Sequence, residues 1–238
     1  MADTAPEGDQ RQTLPLFPLQ TVLLPSAHLP LHIFEPRYRQ LTADLITGTV
    51  PDKRLGIVAI RMPATHEVET TGQVFGVGCA AELREAKRLP DGRFDIVTTG
   101  RRRFRLLDIR TDAAPYLVGS IEWLDDDPVP RGADAAITQL SAAARAAHRR
   151  YCEAAWDRAD WSAPPEDVDL ADLAYLLAGD CLLPLTDRQK LLEEAQPLRR
   201  LQLVCRLLTR EAGFLSALRA IPAPPAELTG LSTPTNLN

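Results

Sequence analysis

Residues 14–45 read LPLFPLQTVLLPSAHLPLHIFEPRYRQLTADL, and this stretch decides what fold the chain can build. Its first part, Leu14 to Leu24, is an apolar run interrupted by Pro15 and Pro18. Proline has no N–H to give to a ladder, so the run is expected to form a strand at the edge or entrance of a sheet. Pro25 and Ser26 break it, and Leu29 to Ile33 follow as a second short extended segment. At Phe34-Glu35-Pro36 the periodicity changes. Pro36 suits a first helical position, and Tyr38, Leu41 and Leu45 recur at helical spacing until Gly48. The predicted order is strand, turn, strand, short helix.

Outward from this stretch the chain stays strand-rich. Leu55 to Arg61 is a compact β-branched run suited to a central strand, and Val74 to Leu83 is strand-like, with notches at Gly76 and Gly78. Those notches suit either tight barrel curvature or the close approach of another backbone or a bound peptide. Pro90-Asp91-Gly92 predicts a hairpin turn between Arg84–Leu89 and Arg93–Thr99. Gly100 is expected to separate a further strand, Arg101 to Ile109, and Tyr116 to Leu124 completes the set. Seven or so short strands with frequent turns close most economically into a barrel.

Composition changes after Asp125-Asp126-Asp127-Pro128. Ile137, Leu140, Ala144, Ala147, Tyr151 and Ala154 step by threes and fours along one long helix. Leu170 to Leu177 predict a second helix ending near Gly179, Thr186 and Gln189 suggest a capping box opening a third, and Pro197 opens a fourth with its apolar stripe on Leu198, Leu201, Cys205, Leu208, Ala212, Leu215 and Leu218. The fold class is therefore α+β: a β-barrel over residues 13–127 followed by an α-helical bundle over 128–221. The polar residues 1–12 and the Pro-rich 222–238 are expected to be disordered.

The stretches LPLFPL (Leu14 to Leu19), VLLP (Val22 to Pro25), PLHIFEPRYR (Pro30 to Arg39) and LPDGRFDIVTTGRRRFRLLDI (Leu89 to Ile109) together resemble the amino-terminal, substrate-binding domain of the Lon protease family. HIFEPRYR, in place of a Gly-Arg pair leading into a helix, is closer to the stand-alone form without the ATPase and protease domains. The resemblance implies a PUA-like barrel. It also implies a non-catalytic module for exposed apolar polypeptide segments, or one that docks on a protease or chaperone.

The chemistry legible in the residues agrees with a binding role. The chain has 238 residues, 45% of them hydrophobic, and a net charge of −5, which argues against general affinity for nucleic acid. No Gly-Lys pair offers a phosphate loop, and the lysines, Lys53, Lys87 and Lys190, stand in no Ser-Lys dyad motif. His28 and His32 are four apart, but Pro30 between them marks an extended segment, which removes the helical metal-site spacing; His66 and His148 have no partner motif. Cys79, Cys152, Cys181 and Cys205 form no C-x-x-C pair and are expected as buried thiols. No cofactor or metal is expected. The acidic start lacks the pattern of a secretory signal, and no apolar run reaches the ~20 residues of a membrane span, so a soluble cytoplasmic protein is expected.

Two residue sets are candidates for contact with a partner. Phe34, Glu35, Arg37 and Tyr38 lie at the strand-to-helix turn, where an apolar side chain is either buried or reachable at the rim. A peptide is expected to add to a strand edge near Leu14 to Leu24. Arg101, Arg103 and Arg105 alternate along one strand, a stripe that suits a solvated face, a salt-linked contact with the acidic bundle, or RNA as the alternative ligand.

Overall fold

The computed structural model describes residues 11–62, 67–156 and 161–218. The expected disordered tail and His66 fall outside them, as does the expected arm up to residue 10. Arg11 and Gln12, assigned to that arm, instead begin the first strand, because each pairs with a residue of the last one.

The described residues contain six strands: β1 (Arg11–Leu19), β2 (His28–Ile33), β3 (Arg54–Ala59), β4 (Val77–Arg88), β5 (Phe94–Arg110) and β6 (Val118–Trp123). Their order is β2-β5-β4-β3-β1-β6, and β5 also pairs with β6. The last pairing closes β5-β4-β3-β1-β6 into a ring, with β2 attached outside it. β5 makes this possible by its length of 17 residues. Its first half, Phe94 to Thr99, pairs with β2, and its second half, Phe104 to Arg110, pairs with β6.

Strands expected to be separate are fused. Gly100 does not end a strand; β5 runs through it, with a register shift against β4 between Cys79 and Ala81 that accommodates an extra residue. At Gly100 a Cβ would collide with the Leu24 carbonyl oxygen, so the missing side chain serves close backbone approach. Gly78 has the same use, since a Cβ there would lie 2.5 Å from the Phe104 ring and 2.6 Å from the Ile57 carbonyl oxygen. The expected hairpin turn is present, with Gly92 at φ 82° and its N–H donating to the Leu89 carbonyl oxygen.

β1 is not an edge strand. It pairs antiparallel with β6 over Arg11–Pro15 and parallel with β3 over Leu16–Leu19. The prolines are tolerated because each half of β1 has one partner. The Leu16 N–H points to the β6 side and the Leu19 carbonyl to the β3 side. By alternation the nitrogen of Pro18 faces β6 beyond the end of that ladder, and that of Pro15 faces β3 before its ladder begins. The barrel core gathers Leu14, Leu16, Val58, Phe104, Leu106 and Ile121.

Among the described residues five α-helices accompany the strands: α1 (Pro36–Thr47), α2 (Asp134–Ala155), α3 (Leu170–Gly179), α4 (Leu185–Glu193) and α5 (Pro197–Leu218). α1 has Pro36 in its first turn and Gly48 as its C-cap, as the sequence predicts. The chain forms two compact units, and their division differs from the expected cut at residue 128. Residues 185–196 belong with the strands, and the described residues of 129–184 and 197–218 form the second unit. α4 is held to the barrel by polar contacts. The Gln189 side chain donates to the Val77 carbonyl oxygen at 3.0 Å, and Arg188 to that of Val22 at 3.2 Å. Gln189 is therefore not the reciprocal partner of a capping box.

The second unit consists of α2, α3 and α5. Ala144, Ala147 and Tyr151 of α2 are buried as expected, with Ala155 buried at its end; on α5 Leu201, Val204, Leu208 and Ala212 are buried, so Val204 rather than Cys205 continues the stripe. Arg200 is fully buried, donating to the Ala171 carbonyl oxygen at 2.9 Å and lying over the Tyr175 ring.

Burial in the barrel unit has a consequence at alkaline pH. The Tyr38 hydroxyl is pushed up from 10.0 to about 12 and the Cys79 thiol from 9.0 to about 12, both by burial. In the unfolded chain these groups ionise earlier, so the folded state holds protons that the unfolded state has lost. Their contribution is complete below pH 9 and declines as pH rises through 9 to 12. Urea unfolding midpoints are expected to fall steadily from pH 9 to pH 11; a flat profile over that range would contradict these burials.

Candidate functional site

β2 is the one strand, among the described residues, that is paired on one side only. Pro30 within it accords with an edge position. Its side chains alternate: His28, Pro30 and His32 are exposed, Leu29 and Leu31 half-buried, and Ile33 is buried against the barrel. The signature turn then projects Phe34 outward at 62% exposure, the highest level among the large apolar side chains of the described residues, shared with Met62. A phenyl ring is costly to leave in water, and here it stands directly beyond the end of an open strand edge.

The groups around Phe34 are polar and ordered. The His32 ring stacks loosely on Phe34, with centroids 6.4 Å apart. His32 Nδ1 donates to Asp95 Oδ1 at 2.7 Å, and Arg93 Nη1 donates to His32 Nε2 at 3.0 Å. Arg37 donates to Glu35 Oε2 at 3.0 Å and to Glu67 Oε1 at 3.4 Å. An apolar contact is thus bordered by charged pairs beside a strand that still has backbone groups to share. That combination can hold an extended segment carrying an apolar side chain.

The four turn residues do not act as one set. Phe34 is accessible, and Glu35 and Arg37 pair with each other beside it in sequence. Tyr38 is a core residue at 4% exposure, its ring 4.0 Å from that of Phe17, with the Arg37 guanidinium over it. It leaves the candidate surface because the first turn of α1 points it at β1. The strand expected as an edge along Leu14–Leu24 is not left unpaired, since β1 pairs with β6 through its first half and with β3 through its second. The sequence did not reveal His32, Asp95 and Arg93 as neighbours of Phe34. Only the register His32↔Asp95 brings them together, and register cannot be read from β2 alone.

The arginine stripe is not a free basic surface. Arg101 pairs with Glu82 at 2.8 Å, and Arg105 lies 3.9 Å from Glu122. Arg103 is 4% exposed; it donates to the carbonyl oxygens of Leu192 and Asp125, both at 3.0 Å, and to Asp126 Oδ1 at 2.6 Å. The expected common face fails because α4 covers one position of the three. Nothing in this arrangement favours RNA. The acidic run at Asp125-Asp126 is likewise engaged, with Asp125 accepting from Arg102 at 2.7 Å.

Near Arg101 and Arg102, the side chains of Gln12, Asp52, Arg54, Glu82 and Trp123 line a groove of about 640 Å³ with both signs of charge. His28 Nδ1 lies 3.0 Å from Thr99 Oγ1, whereas His32 engages Asp95, so the two histidines face different partners. Among the described residues no group of three metal-ligating side chains occurs, and no helix is long and apolar enough to cross a membrane.

Residues 13–210 match the family model for the ATP-dependent protease La (LON) substrate-binding domain. Lon protease 1 of Thermus thermophilus is 28% identical over 204 residues, which cover 84% of this chain and 25% of that protein. The chain spans about a quarter of the length of the curated relatives it matches. The fold is similar to that of a Lon N-terminal domain protein from Xanthomonas campestris, with TM-score 0.54 and 24% identity over 89% of this chain and 99% of that one. It is also similar to the N-terminal domain of Mycobacterium avium complex Lon protease, with TM-score 0.59 and 16% identity over 83% and 98% of the two chains.

Proposed function

This chain belongs to the LON substrate-binding domain family, and from that premise we propose that it is a non-catalytic cytoplasmic module that takes exposed apolar segments of polypeptides on the open edge of β2, with Phe34 as the apolar anchor. The observation that carries the reading is the exposed Phe34 ring beside β2, the one singly paired strand among the described residues. An added strand exchanges backbone hydrogen bonds with β2, and its apolar side chain covers Phe34. Glu35, Arg37 and Arg93 border the contact and favour segments flanked by charge. Affinity is modest, because ordering an extended segment offsets much of the gain. A protease or chaperone that receives such segments is the partner this role suggests.

Fluorescence anisotropy with labelled unfolded-protein peptides tests the proposal. Burying a phenyl side chain contributes roughly 1.5–3 kcal/mol, so Phe34→Ser is expected to weaken binding about 10- to 100-fold. The variant should melt with the wild type, since the ring is 62% exposed. Equal binding by wild type and Phe34→Ser, or no binding at high micromolar protein, would remove the assignment.

A further inference from the structure

The mouth of the barrel holds a groove that the peptide-binding role does not use. Each of the five strands closed into the ring sends a side chain to it: Gln12 from β1, Arg54 from β3, Glu82 from β4, Arg101 and Arg102 from β5, and Trp123 from β6. Two neighbours on one strand ordinarily point to opposite faces. Here β5 is bulged: Cys79 pairs with Arg103 and Ala81 with Gly100, so Arg101 and Arg102 together face the single residue Ala80. The extra residue re-aims both guanidinium groups at the groove. Arg101 leans toward β4, its Nε donating to Glu82 Oε2 at 2.8 Å, and Arg102 toward β6, its guanidinium 5.3 Å over the Trp123 ring. The indole is fixed in turn, donating from Nε1 to Gln12 Oε1 at 2.9 Å and standing edge-on to the buried Phe104 ring.

We propose that this groove binds a small organic anion, its oxyanion held by Arg54, Arg101 and Arg102 and a flat ring laid against Trp123 and the guanidinium above it. The mouth of a β-barrel is a recurrent place for ligands, and about 640 Å³ is room for one molecule of metabolite size. Arginine suits both ends of such a molecule. Its forked N–H donors match carboxylate or phosphate oxygens, and its plane stacks on aromatic faces. The charged lining, three arginines against Asp52 and Glu82, is net positive in a chain whose net charge is −5.

The arginines keep donors for this ligand. Arg101 is engaged through Nε, Arg102 through one Nη with Asp125, and Arg54 through one Nη that lies 3.5 Å from Asp52. Asp125 and Asp52 are 83% and 67% exposed, so both pairs compete with solvent and yield readily to a bound anion. Glu82 differs. One of its oxygens accepts from Arg84 at 3.0 Å and the other from Arg101 at 2.8 Å, which makes it a positioning residue that aims Arg101. Backbone strain falls on the same rim. Asp52 and Lys53 have φ of 56° and 51° in an exposed turn, a left-handed pair that costs free energy, buries nothing and sets the Asp52 carboxylate beside Arg54.

Calorimetric titration of the full chain at low salt with phenyl phosphate, benzoate, inorganic phosphate and phenol tests the site. At least one of the two ring-bearing anions is expected to bind with Kd below about 1 mM, about tenfold or more tighter than inorganic phosphate or phenol. The tighter of the two identifies the head group as phosphate or carboxylate. In proton–nitrogen correlation spectra it should move the Trp123 indole N–H resonance, assigned with Trp123→Phe. Arg54→Gln and Arg102→Gln are each expected to weaken binding about tenfold, whereas Arg105→Gln, on the same strand but outside the groove, should bind as the wild type does. All three should melt with the wild type, because the side chains are exposed. Phe34→Ser should leave binding of the anion unchanged, which separates this site from the peptide edge. The proposal is overturned if neither ring-bearing anion reaches about 1 mM, if inorganic phosphate or phenol binds within about tenfold of the tighter one, or if Arg105→Gln weakens binding as much as Arg54→Gln.

Discussion

Arg103→Ala is expected to destabilise the strand unit by about 3–5 kcal/mol, whereas Arg105→Ala, two residues along the same strand, should change stability by less than about 1 kcal/mol. The difference comes from environment alone. Arg103 is buried and satisfies the carbonyl oxygens of Leu192 and Asp125 and the carboxylate of Asp126. Its removal takes a donor from two carbonyls and from a partly buried carboxylate, and losing such hydrogen bonds away from water is costly. Arg105 is exposed and 3.9 Å from an exposed Glu122, a distance at which solvent competes. Arg103→Met separates packing from polarity, because it refills most of the volume but restores none of the hydrogen bonds. It should recover less than half of the loss. Urea unfolding followed by circular dichroism measures all three variants, and equal effects at 103 and 105 would show that α4 does not seal Arg103.

The second large effect is expected at Gly100. A methyl group there runs into the Leu24 carbonyl and approaches the Cys79 sulfur at 3.2 Å. Because the obstacle includes backbone, no rotamer change relieves it, and β5 must separate from the Leu24 segment. Gly100→Ala is expected to cost on the order of 3–5 kcal/mol, enough to lower the melting temperature by roughly 10 °C. Gly76→Ala is the control, with nothing within 4 Å of the added carbon. That substitution should be neutral or slightly stabilising through the unfolded chain. Thermal melts decide the matter: a Gly100→Ala protein that melts with the wild type would mean that the Leu24 carbonyl is not seated against β5.

The contrast between these positions shows what a chain of this kind discloses before it is folded. Local signals were legible: Pro36 and Gly48 bracket α1, Pro90-Asp91-Gly92 turns β4 into β5, and the apolar stripes on α2 and α5 place both helices. The α+β class and the family followed from them. Non-local pairing was not legible. β1 resembled an edge strand because its prolines lack donors, yet it is enclosed by two partners that exchange midway along it. Gly100 resembled a boundary because glycine weakens a strand, yet the strand needs its bareness to pass Leu24. Arg103 resembled its neighbours, since arginine is rarely buried, and only the return of α4 sets it apart. The candidate site divided in the same manner. Phe34 was visible in the signature turn, but its polar neighbours depend on the β2–β5 register, and Tyr38 could not be assigned to core or rim until Phe17 was in place.

The detour of the chain through α2 and α3 before α4 sets a schedule for synthesis. All six strands leave the ribosome well before residues 185–193 exist, so a nascent barrel emerges with Arg103 bound by the aspartates and open to water on its other side. The Leu192 carbonyl arrives only after α2 and α3 have been made, and a message cut short after the last strand would yield a barrel missing that final latch.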